Sequence, residues 1–106
     1  MKAIKVTKKN VERLAKELEQ QLVEKLTPYI TYGVSNDGIC GGYARINVFS
    51  TDAHPYITSV AMGVVIDVFE NSRIKASMFY GICDCERPST KDKVPCISIN
   101  IKIVER

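Results

Sequence analysis

Nowhere in its 106 residues does the chain hold eighteen apolar residues in succession, so no segment reads as a membrane-spanning helix. The opening "MKAIKVTKKN" lacks the continuous apolar core of a signal peptide, and the cytoplasm, with no membrane contact, is the expected setting. Histidine occurs once, as His54, which leaves few nitrogen ligands for a metal and one imidazole for acid–base work. No pair of carboxylates stands out as acid and base. The glycines of "NDGICGG" follow neither a Walker nor a dinucleotide-binding spacing and open no helix, so they read as turn geometry rather than a phosphate cradle. Internal repeats and low-complexity tracts are not apparent in the residues either.

What is present is the composition of an ordinary globular domain: 45% hydrophobic and 25% charged residues, in a length that supports one core. A single domain over 1–106 is expected, whose folding requires neither a disulfide nor a metal. The net charge of +3 is uneven, because Lys2, Lys5, Lys8, Lys9, Arg13 and Lys16 face only Glu12 in the first sixteen residues, while the remainder is slightly acidic.

Apolar residues at Val11, Leu14, Ala15, Leu18, Leu22 and Leu26 form the stripe of a helix with one dry side. Thr7 or Asn10 can cap its start, and Thr27–Pro28 ends it. The rest reads as strands. "YITYGV" and "YARINVF" flank the glycine-rich "SNDGICGG" as a hairpin, and "STDAHP" breaks the chain. "ITSVAMGVVIDVF" joins "RIKASMFYGIC" through "ENS", and "CISINIKIV" alternates strictly at Ile97, Ile99, Ile101 and Ile103. Residues 60–71 also fit one buried helix, but their β-branched residues and Gly63 favour strand. The expected fold is α+β: an N-terminal amphipathic helix packed on an antiparallel meander sheet of four to five strands.

Cys83, Cys85 and Cys96 lie within fourteen residues, in "GICDCERPSTKDKVPC". Alternation sends Cys83 and Cys96 to the outer face of the sheet, near the neck of loop 84–94, where Cys85 can join them. Reduced thiols, a bridge from Cys83 or Cys85 to Cys96, and a zinc ion held by all three stay open. The C-x-C-x10-C spacing is not that of a zinc knuckle pair, the fourth ligand would have to be the distant Cys40 or His54, and no cofactor is called for. Nor is C-x-C on a strand a C-x-x-C redox motif at a helix start. Cys40, His54 and Asp52 could supply a nucleophile, base and orienting acid, but they match no catalytic signature, so a cysteine enzyme ranks behind a binding role.

The same alternation lays Arg45, Phe49, Phe69, Arg73, Lys75, Phe79 and Lys102 on the outer sheet face, beside Tyr43, Asn47, Val65, Asp67 and Asn100. Aromatic and cationic groups so interleaved suit a protein hot spot, or alternatively stacked bases and phosphates together with the basic helix end. Asp67 and the low net charge favour the protein partner. The remaining reading is that a second covering element or a second copy of the chain buries such a face.

The opening "IKVTKKNVERLAKELEQQL" resembles the start of small proteins carried by phages and other mobile elements of low-GC Gram-positive bacteria. The resemblance implies a non-catalytic inhibitor of host defence, such as an anti-CRISPR protein acting on a nuclease, and carries over no functional residue. The helix-then-meander order is similar to cystatin-like architecture, which transfers no function.

Overall fold

The computed structural model describes residues 6–29, 31–50, 54–74, 76–86 and 91–103. Helix α1, Lys8–Leu26, is followed by strands β1, Thr31–Cys40, and β2, Tyr43–Ser50. Helix α2, His54–Ser72, then leads to β3, Ser77–Glu86, and β4, Lys93–Lys102. The protein is thus an α+β domain in which the N-terminal helix packs on a four-stranded antiparallel sheet.

The α1 stripe is buried throughout, from Val11 to Leu26. Its start is capped by Thr7, whose hydroxyl oxygen accepts from the Asn10 backbone N–H at 3.2 Å. At the other end the Thr27 hydroxyl donates to the Val23 carbonyl.

Residues 60–71 are helical, not strand, so Val65, Asp67 and Phe69 do not belong to the sheet. The buried side of α2 carries Ile57, Ala61, Val64, Val65 and Val68, again a helical stripe. Its β-branched residues disfavour a helix only by tenths of a kcal/mol each, about the scale of intrinsic propensity, and burial against α1 and the sheet outweighs that. Arg13, near the start of α1, shares a surface cleft with Ser72 at the end of α2, and Tyr29 beyond α1 meets Tyr56 in the first turn of α2. The helices therefore run antiparallel over one face of the sheet.

The glycine-rich stretch expected to be an eight-residue turn is mostly strand. β1 runs on to Cys40, and Gly41 and Gly42, both with positive φ, make the two-residue hairpin turn that only such residues adopt without strain. The strand order is β1-β2-β4-β3, which is not a meander: α2 carries the chain from β2 to the far edge, and β4 returns to pair with β2.

The order exposes a repeat that the residues hide. The chain is two successive helix–strand–strand units, each with a 19-residue helix and a 10-residue first strand. Each unit's second strand lies at the centre of the sheet. Val11, Ala15, Leu18 and Leu22 occupy positions in α1 that match Ile57, Ala61, Val64 and Val68 in α2, and all eight are buried. One core unites both helices with Ala44, Ile46 and Val48 of β2 and Ile97, Ile99 and Ile101 of β4.

Candidate interaction surface

On the outer sheet face, away from the helices, β2 presents Tyr43, Arg45, Asn47 and Phe49, and β4 presents Cys96, Ser98, Asn100 and Lys102. β3 adds Ser77, Phe79, Gly81, Cys83 and Cys85. Arg45 stands opposite Asn100 and donates from Nε to its Oδ1 at 3.0 Å. Phe79 flanks Asn100 on the other side and meets Tyr43 edge to face, with ring centroids 5.6 Å apart and an interplanar angle of 85°. Asn100 is only 7% exposed under these neighbours, although among the described residues both helices pack on the opposite face.

Four of the seven expected interface residues therefore share the outer face: Arg45, Phe49, Phe79 and Lys102. Phe49 is buried with Val94 and Cys96 rather than offered to a partner. Phe69 lies on α2, partly buried against the main core. Arg73 follows α2 with a left-handed φ of 61° and lines the helix-layer cleft with Arg13, Leu14 and Glu17, so it too is removed from the sheet face. Lys75 lies outside the described residues, as do Asp52 and the side chains of Cys40 and His54, on which a cysteine enzyme would depend.

Tyr80 and Ile82 alternate onto the helix side of β3 with Met78, yet they stay 47% and 53% exposed. β3 is an edge strand, and its exposure together with that of Phe79, at 52%, leaves apolar side chains open on both faces of one strand. Alternation tells which face a residue takes. It carries no signal of whether the strand is central or at an edge.

The three thiols come together as their outward alternation requires, within the β3–β4 ladder rather than at a loop neck, since the strands extend to Glu86 and from Lys93. Cys83 stands directly opposite Cys96, and the Cys83 and Cys85 Sγ atoms are 3.1 Å apart. All three are unbridged. Hydrogen bonding with Cys85, with some burial, raises the Cys83 pKa above the ordinary thiol value. Burial, reinforced by Cys85, pushes that of Cys96 far higher. Among the described residues no three His, Cys, Asp or Glu side chains are arranged to hold a metal ion. None of the helices is long and apolar enough to cross a membrane among the described residues.

Compared with known proteins, the chain matches no family model and no curated sequence.

Proposed function

We propose that this domain is a non-catalytic protein-binding module that takes an extended segment of a partner protein onto the free edge of β3. The observation that carries this reading is the exposure of Phe79 on one face of that strand and of Tyr80 and Ile82 on the other. An edge strand presents unpaired N–H and C=O groups, and proteins ordinarily blunt such an edge with charges, proline or a covering element. The segment from Ser77 to Ile82 has no charge and no proline. An added strand would pair with the backbone and cover apolar side chains on both faces, the mode in which main-chain bonds supply affinity and alternate side chains supply selectivity.

A nucleic-acid partner has less support. Of the cations expected on the sheet face, Arg45 and Lys102 lie there, while Arg73 belongs to the helix layer. Asp37, which accepts from the Asn47 side chain at 2.8 Å, adds a negative charge beside them. Among the described residues, two of the expected cations and an acid make a weak phosphate-neutralising surface.

A displayed library of short random peptides tests the proposal. Selected peptides should be apolar at alternate positions, free of proline, and should perturb β3 amides in NMR spectra. Ile82→Lys, at an exposed position, should leave melting unchanged and weaken the selected peptides about tenfold or more. Binding indifferent to that change, or a dimer by light scattering that Ile82→Lys dissociates, would assign the edge elsewhere or to a second copy. The N-terminal resemblance implies a host-defence nuclease as partner class, which inhibition of purified nucleases by the wild type but not by Ile82→Lys would support.

A further inference from the structure

The thiol cluster goes beyond the binding role and does not depend on it. We infer that Cys83 and Cys85 form a thiol–disulfide exchange site, which closes to an intrastrand disulfide on meeting a low-molecular-weight disulfide such as oxidised glutathione. Their Sγ atoms are 3.1 Å apart, closer than sulfurs in simple van der Waals contact, yet unbonded. Cys83 is exposed and Cys85 half-buried, so an incoming disulfide reaches the pair from solvent.

The exchange balances in two steps. A thiolate of the pair attacks one sulfur of oxidised glutathione, the S–S bond breaks, and one glutathione leaves as a thiolate that takes up a proton. The second cysteine, having lost its proton, attacks the first cysteine's sulfur and expels the other glutathione. Two cysteine thiols give up two electrons and two protons, and one glutathione disulfide becomes two thiols.

Cys96 stands opposite Cys83 but takes no part. It is wholly buried beside Phe49, Val94 and Cys85, out of reach of an incoming disulfide, and burial holds its thiol protonated. Residues two apart on a strand have Cα atoms about 6.6 Å apart, near the upper limit a disulfide spans, so closure puckers the backbone. Among the described residues β3 has a strand neighbour on one side, β4, and can yield. A bridge under such strain is readily reduced, which makes the site reversible.

The test treats the reduced full-length protein with oxidised glutathione, quenches with acid and maps tryptic peptides by mass. Trypsin leaves Cys83 and Cys85 on one peptide, 76–91, with Cys96 on 94–102 and Cys40 on 26–45. In the wild type and in Cys96→Ala, peptide 76–91 should become lighter by two hydrogens and carry no glutathione. Cys83→Ser and Cys85→Ser should each hold one glutathione on that peptide, and dithiothreitol should reverse all of these products. A bridge joining 76–91 to 94–102, a lasting adduct on the wild-type peptide, or no reaction while iodoacetamide still alkylates both cysteines would overturn the inference.

Discussion

Tyr43 and Phe79 pack edge to face across the central strand β4, although neither strand that carries them touches the other. They bridge from β2 and β3 over the stretch of β4 that holds Asn100 and Lys102, and with Arg45 they shelter the Asn100 amide. The helix-free face of the sheet thus has a small roof of its own. Phe79 serves both that roof and the exposed edge.

These two roles separate on truncation. Phe79→Ala should lower stability by about 1 kcal/mol, the scale of an aromatic pair beyond its buried area. Its effect on peptides bound at the β3 edge should be larger, about 2 kcal/mol, as at an interface hot spot. Urea denaturation and peptide titration on one sample compare them, and a stability loss exceeding the binding loss would make Phe79 a core residue of the outer face alone.

Leu18 on α1 and Ile101 on β4 are both fully buried in the shared core, while Lys16 faces solvent. Leu18→Ala should cost about 2 to 5 kcal/mol through lost burial and the cavity left behind. Lys16→Ala should change little. Denaturation midpoints check the ranking.

Ser50, at the end of β2, is wholly buried, and its hydroxyl has no hydrogen-bond partner among the described residues. A buried hydroxyl without a partner gives up its hydration for nothing in return, so Ser50→Ala should be neutral or stabilise by about 1 kcal/mol. A loss of similar size in urea denaturation would mean that the hydroxyl is bonded after all.

Cys96 gives stability a dependence on alkaline pH. Its folded pKa is raised above the ordinary value of 9.0, chiefly by burial, so above about pH 9 the unfolded chain releases a proton that the folded chain keeps. The contribution is fully present below pH 9 and is lost as pH rises, by at most about 1.4 kcal/mol per pH unit. Urea midpoints from pH 7 to 10 should therefore fall less steeply for Cys96→Ala than for the wild type. Parallel profiles would show that the thiol ionises in the folded state as easily as in the unfolded.

Local periodicity made much of this molecule legible. The stripe from Val11 to Leu26 and the alternation from Ile97 to Ile101 each declare a buried side, because spacing along a helix or strand sets which side chains share a face. The same rule brought Cys83, Cys85 and Cys96 to one surface. It failed at α2, where Ile57, Ala61, Val64, Val65 and Val68 also form a helical stripe, but the apolar residues around it blur the period and their branching argues for strand.

What the residues by themselves determined is the secondary structure and facing of α1, β2 and β4 and the outward set of the thiols, all settled by contacts within a few residues. The tertiary structure alone decided that α2 is a helix, that Arg73 and Phe69 leave the sheet face, and that Tyr80 and Ile82 stay open. Those outcomes depend on which segments meet across the fold. A strand of any sequence is buried on both flanks at the centre of a sheet and bare along one at its edge, and that position follows from the order β1-β2-β4-β3, which no short stretch of the chain encodes.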